Sequence, residues 1–265
     1  MPPRTGDSTL QFSSDGERRT ALIHVPRGLP RGRRVPILLA LHGARGDGPS
    51  FAPSTGFSKI ADREKFIAVY PSALAGLWNV GRDPRRPDDV RYLSGVVDRA
   101  LLGVCADPRR LYATGLSNGG DMVGVIACEL SDFVSAVAPV ATGYTPARPC
   151  RPKQAVSVLE IHGTGDGITP YAGRGSRRTG SVPRYLAGWA QRDGCAPTPQ
   201  ERRLGPRATR LDWQGCRDGS AVAHIRIRGG GHEIPGTGRR KRRAAVDGPE
   251  EIWRFLSRHR LNLIG

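Results

Sequence analysis

The chain contains no apolar run of about 18 residues, so no transmembrane helix is expected. Its first residues, Met1-Pro-Pro-Arg-Thr-Gly-Asp7, lack the apolar core of a secretory signal peptide. Either the protein stays inside, or an export signal has been trimmed from it. Cysteine is sparse: Cys105, Cys128, Cys150, Cys195 and Cys216, with no C-x-x-C pair. That spacing disfavours zinc and thioredoxin-like chemistry, and the odd count leaves at least one cysteine unpaired within the chain. No metal and no cofactor is expected. Lysine is scarcer still. Only Lys59, Lys65, Lys153 and Lys241 occur among 41 basic residues, which leaves 41 − 4 = 37 arginines. The net charge of +17 is spread along the chain, with one dense run, Arg239-Arg-Lys-Arg-Arg243. Such a run reads as a solvated loop in preference to a nucleic-acid or membrane patch. There is no internal repeat and no linker long enough to divide domains. The 265 residues, 38% hydrophobic, are therefore expected to build one domain around a sizeable core.

What is present is an alternation of strand-like and helix-like segments. Residues 1–17 are polar and expected to fray. Strands are expected over Arg18–Val25, Val35–Leu41, Phe66–Tyr70, Leu111–Leu116, Phe133–Val140, Ala155–Ile161, Thr209–Trp213 and Ala221–Ile227. The run Val35-Pro-Ile-Leu-Leu-Ala-Leu41 is apolar throughout, as in a central strand buried on both faces. Helices are expected over 51–64, 88–104, from about Asn118, over Val182–Arg192 and over Asp247–Arg260. Strands alternating with helices predict an α/β fold, one mostly parallel sheet covered by helices on both faces.

One stretch organises the rest. Leu111–Leu116 runs into Gly115-Leu-Ser117-Asn-Gly119 and then into a helix rich in small and apolar residues. A G-x-S-x-G string counts only in this strand–turn–helix context. There the glycines relieve crowding around a sharply turned serine, and the helix N-terminus favours a nearby negative charge. Ser117 is the candidate nucleophile, and the Asn118 N–H is a candidate oxyanion donor. A serine also needs a base and an orienting acid. Asp166 follows Ala155–Ile161, and His232 follows Ala221–Ile227 through a glycine run. All three stand at strand ends on one expected rim of the sheet, where ligands of such folds bind. Their order, Ser…Asp…His, is that of the α/β-hydrolase triad. Asp88 and Asp89 are rival acids, read instead as the cap and first turn of a helix. The second oxyanion donor is expected from the loop His42-Gly43-Ala44, at the Ala44 N–H, with His42 structural.

Taken together, Leu41-His-Gly43, Val69-Tyr-Pro71, Trp78-Asn79, Asp107-Pro-Arg-Arg-Leu-Tyr112, Gly115-Leu-Ser-Asn-Gly-Gly120, Ile161-His-Gly-Thr-Gly-Asp166, Pro170-Tyr171, Gly194-Cys195 and Gly229-Gly-Gly-His232 are similar to one esterase family. It is that of polyhydroxybutyrate depolymerases and feruloyl esterases, within the α/β-hydrolases, and the likeness runs from about Arg18 to Arg260. The resemblance implies a single-domain α/β-hydrolase fold and a serine esterase with Ser117, Asp166 and His232 as triad. It also implies an ester substrate (an aryl or acyl ester, a polyester or a plant cell-wall ester) and secretion. Trp78 and Tyr171 are candidates for substrate contact. The alternatives are another acyl hydrolase or an acyltransferase on the same triad (an acetylxylan esterase or a peptidase) and, behind these, a basic polyanion-binding protein on a hydrolase scaffold, suggested by the net charge of +17 and Arg239–Arg243. Two departures stand out. The family often has Thr-Trp-Pro-Gly after the catalytic His, where this chain has Glu233-Ile-Pro-Gly236, and it commonly has an apolar residue at Asp121. With secretion implied, a bridge between Cys195 and Cys216 is expected, since the Gly-, Pro- and Arg-rich segment between them has little apolar material to hold it. The pairing of Cys105, Cys128 and Cys150 stays open.

Overall fold

A computed structural model describes residues 5–29, 33–81, 83–103, 106–142, 149–173, 180–238 and 244–261. Ten strands form one sheet: β1 Gly6–Ser14, β2 Glu17–Val25, β3 Val35–Leu41, β4 Ile67–Pro71, β5 Ala106–Leu116, β6 Ala136–Val140, β7 Ser157–Gly163, β8 Gln200–Arg203, β9 Ala208–Trp213 and β10 Val222–Ile227. The order across the sheet is β1-β2-β4-β3-β5-β6-β7-β10-β9-β8. From β4 to β10 every neighbouring pair is parallel, and the outer pairs at both ends are antiparallel. The parallel centre is the part that points its strand ends at one rim.

Among the described residues six α-helices cover the sheet: α1 Gly48–Thr55, α2 Phe57–Glu64, α3 Asp89–Gly103, α4 Asn118–Glu129, α5 Val182–Arg192 and α6 Gly248–Leu256. The continuous apolar run of β3 has its predicted cause. Ile37, Leu39 and Leu41 belong to one core with α3, α4 and α5, and Leu38 and Ala40 to the opposite core with α1, α2 and α6. Successive side chains alternate faces, so a strand buried on both sides has no place for a polar residue. Each fully buried Leu or Ile contributes on the order of 1.5–3 kcal/mol relative to exposure.

Three expectations change. The segment 1–17 does not fray as a whole, because β1 pairs antiparallel with β2 across its length, from Gly6 opposite Val25 to Ser14 opposite Glu17. Its polar composition suits an edge strand, whose outer face meets water. The helix expected over 51–64 is two helices, broken at Gly56, whose backbone is left-handed at φ 75°. β8 is a strand that the sequence reading missed, since all four of its residues are exposed and carry no apolar alternation.

Among the described residues two disulfides tie the chain. Cys195–Cys216 forms as expected, with Cα atoms 3.9 Å apart, closer than the usual range of about 4.4–6.8 Å. Cys128 pairs with Cys150, which ties α4 to the segment before β7. Cys105 and the run Arg239–Arg243 lie outside the described residues.

Candidate active site

The turn from β5 into α4 is tight and strained. Ser117 sits there at φ 56° and ψ −123°, a conformation that residues with a Cβ rarely adopt. The two flanking glycines are sterically required. A Cβ on Gly115 would lie 2.6 Å from the Gly119 carbonyl, and one on Gly119 would lie 2.4 Å from the carbonyl oxygens of Leu41 and His42. The elbow is thus wedged against the end of β3. The loop that leaves β3 passes beside the serine, since a Cβ on Gly43 would be 3.6 Å from Ser117 Cβ.

That loop is held by the segment between β4 and α3. His42 Nδ1 donates to the Gly43 carbonyl at 2.7 Å, and its Nε2 accepts the Ala73 N–H at 3.0 Å. Burial lowers the His42 pKa, outweighing the bond to Gly43, which fits a neutral structural imidazole. The Arg45 N–H donates to the Gly76 carbonyl at 2.8 Å. Ala44 is exposed beside it, and its N–H has no acceptor among the described residues. Asn118 opens α4, so its N–H is one of the unpaired donors of a helix N-terminus.

Asp166 is a buried carboxylate at the end of β7. Its Oδ1 accepts the N–H groups of Ile168 and Thr169, each at 2.8 Å. Its Oδ2 lies 2.8 Å from the Thr169 hydroxyl and 2.8 Å from His232 Nδ1. Burial works against this charge, yet the bonds from Thr169, His232 and Ile168 outweigh it and hold the carboxyl below its ordinary range. With Nδ1 donating to Asp166, His232 Nε2 is left as the basic nitrogen. Among the described residues His232 has no hydrogen bond to Ser117 within 3.5 Å. Asp166 and the imidazole are therefore joined, and the bond from imidazole to serine is not made.

The rival acids go elsewhere. Asp88 caps α3 through the Val90 N–H at 2.9 Å. Asp89 is buried against Arg19 at 2.5 Å and accepts the Asn79 N–H at 2.7 Å. Trp78 is not a substrate contact. It is 1% exposed, and its indole N–H donates to the His42 carbonyl at 2.9 Å, so it braces the loop after β3. Tyr171 is half-buried with its hydroxyl 3.1 Å from His224 Nε2, behind the acid. Asp121 pairs with the hydroxyl of Thr142, which follows β6. Sequence reasoning missed Thr169, which touches Asp166 through both its amide and its hydroxyl. The signal was there: an Asp whose side chain accepts N–H groups two and three residues on is a recurrent turn.

A mostly parallel sheet under helices, with a strained serine elbow and an Asp–His pair at neighbouring strand ends, defines an α/β-hydrolase. No family model matches the chain. Feruloyl esterase B of Piromyces equi is 27% identical over 229 residues, which cover 81% of this chain and 42% of that protein. NocK of Nocardia uniformis subsp. tsuyamanensis, which carries an esterase name, is 30% identical over 250 residues, covering 83% of this chain and 72% of NocK. Acetyl xylan esterase from Aspergillus awamori shares the fold, with a TM-score of 0.71 over 94% of this chain and 99% of its own, at 16% identity. The chain belongs to the esterase family of feruloyl esterases and polyhydroxybutyrate depolymerases. It spans less than half the length of feruloyl esterase B.

Proposed function

We propose that this chain hydrolyses carboxylic esters through an acyl-enzyme on Ser117. The reading is carried by one observation, the 2.8 Å bond between Asp166 and His232 on the rim that also bears the strained Ser117. Ser117 Oγ attacks the ester carbonyl while His232 Nε2 takes its proton. Asp166 fixes the tautomer and offsets the charge on the imidazolium. The developing oxyanion accepts from the N–H groups of Ala44 and Asn118. His232 then gives the proton to the leaving alcohol, and water, activated by the same imidazole, releases the acid.

The substrate is an ester of the kind that the names of the relatives record: a feruloyl or acetyl ester of plant cell-wall material, or a polyester. Ile234, where the family often has Trp, is 3% exposed and packs into the core under α6. Two disulfides fit an oxidising compartment, and an exported enzyme is the corresponding localisation. No helix among the described residues is long and apolar enough to cross a membrane.

The deciding experiment is a panel of p-nitrophenyl esters, feruloyl and acetyl esters, peptide amides and acyl acceptors, run on the wild type and on Ser117→Ala. Turnover of esters that vanishes with the serine supports the reading. Amide cleavage or acyl transfer as the faster reaction would overturn it.

A further inference from the structure

Behind the acid lies a buried cluster that the hydrolytic steps do not use. Glu160 and His162 on β7 and His224 on β10 all have fully buried side chains. A buried carboxylate must be paired or neutralised. One oxygen of Glu160 lies 2.9 Å from His162 Nδ1. The other lies 2.8 Å from His224 Nδ1, whose N–H is directed at the Glu160 backbone carbonyl 3.0 Å away. His224 Nε2 faces the Tyr171 hydroxyl at 3.1 Å. His224 can therefore donate from one nitrogen and accept at the other, as a neutral imidazole does.

His162 differs. Its Nδ1 faces the Glu160 carboxylate, and its Nε2 lies 2.8 Å from the Thr169 carbonyl and 3.4 Å from Asp166 Oδ2. Both nitrogens face acceptors, and a neutral imidazole has one N–H. Either Glu160 carries the extra proton or His162 does. The neighbours select His162. The second Glu160 oxygen makes no hydrogen bond, but it faces a His224 nitrogen that bears an N–H, so a proton on that oxygen would have no acceptor there, which favours the carboxylate; Asp166 beside Nε2 favours a cation. Burial opposes both charges, but the facing partners outweigh it, raising the His162 pKa and lowering that of Glu160. Other charged groups lie around the ring. Arg226, opposite His162 in the β7–β10 register, reaches Glu201 at 3.3 Å. Arg207 and Glu233 line, with His162, a cavity of about 360 Å³ under the His232 loop. His232 shares Asp166 Oδ2.

We propose that His162 is a buried imidazolium, balanced by Glu160, that positions the acid Asp166. This rests on the hydrolase reading above. The Nε2–H anchors the Thr169 carbonyl, and with it the turn whose amide and hydroxyl hold Asp166. The charge faces the same Asp166 oxygen that His232 uses, so one carboxylate is held between two imidazoles. His162 touches no reacting atom.

The test combines NMR of protein labelled with 15N-histidine and a kcat/KM profile on p-nitrophenyl acetate. His162 is expected to carry protons on both ring nitrogens at about pH 7, where an ordinary imidazole is mostly neutral, and to lose one there in Glu160→Gln. His162→Gln keeps a donor near Thr169 without the charge. With the cation gone, Asp166 serves His232 alone and stabilises its protonated form. The acidic limb should then move up by about half to one pH unit, a loss of roughly 3- to 10-fold in kcat/KM at about pH 6, with KM little changed. A singly protonated His162 at about pH 7 would overturn the proposal, as would a folded His162→Gln whose acidic limb coincides with the wild type. If that variant does not fold, the wild-type ring signals, assigned through bonds, decide the proton count alone. Retained ester turnover in Ser117→Ala would sink the hydrolase reading separately, without touching the NMR result.

Discussion

The side chain of Asn118 accepts a hydrogen bond from the backbone N–H of Trp78 at 2.8 Å. The residue after Ser117 is thereby fastened to a loop 40 positions earlier in the chain. Trp78 in turn holds the His42 carbonyl, at the start of the loop that carries Ala44. Both proposed oxyanion donors are thus set by one small network. Asn118→Ala keeps the peptide N–H and removes the fastening. Its kcat should fall about 10- to 100-fold with a smaller change in KM, the signature of donors displaced by a fraction of an ångström. An unchanged kcat would show that the network does not set the donors.

Ser117→Ala should lower kcat on a p-nitrophenyl ester by on the order of 10⁴-fold or more. Asp166→Asn should cost roughly 10³- to 10⁴-fold, since an amide cannot accept from Nδ1 and offset its charge as the carboxylate does. Steady-state rates read both. A fully active Asp166→Asn would return the role of acid to another residue.

Gly119→Ala should abolish activity and destabilise the fold. The added methyl would stand 2.4 Å from two backbone carbonyl oxygens, where no flexible side chain can yield. Thermal unfolding and ester turnover should fall together. Normal values for both would mean that the elbow has room that this geometry does not allow.

Asp193 supplies a dependence of stability on pH. It is fully buried, and neither of its oxygens has a hydrogen-bond partner among the described residues. Burial pushes its carboxyl up to about 7, against the opposing pull of Arg217, of the Val156 N–H nearby, too poorly placed for a well-formed hydrogen bond, and of Arg192. A pKa raised above the unfolded value of about 3.9 means that the folded state favours the protonated form. The contribution is complete below about pH 4 and is lost as pH rises through about 7. Asp193→Asn should flatten this slope and raise Tm at about pH 8, by about 2–4 °C for each kcal/mol recovered. Calorimetry at several pH values checks it, and equal Tm differences at about pH 4 and 8 would count against it.

The double variant Cys195→Ser/Cys216→Ser should lose about 3 kcal/mol of stability, as expected for a bridge over 21 residues. Urea titration measures the loss. A midpoint equal to that of the oxidised wild type would mean that the bridge does not constrain the unfolded chain.

Much of the architecture is local and so could be read along the chain. A strand buried on both faces must be apolar at every position, which is why Val35–Leu41 declared itself. A sharp turn carrying an exposed serine must have glycine where backbones nearly touch, which is why Gly115 and Gly119 marked the elbow. The order of Ser117, Asp166 and His232 could be read because each follows a recognisable strand. Partnership is another matter. Whether Asp89 or Asp166 meets His232 depends on which strand ends are neighbours, and β7 and β10 become neighbours only across 60 residues of intervening chain, roughly. The same holds for Cys128 with Cys150, for the polar edge strands β1 and β8, and for Trp78, whose indole could have faced a substrate until the fold closed around it. The proton on His162 lies furthest from the sequence. It follows from what each ring nitrogen faces, and those acceptors are brought together by a sheet register and a turn that no local pattern specifies.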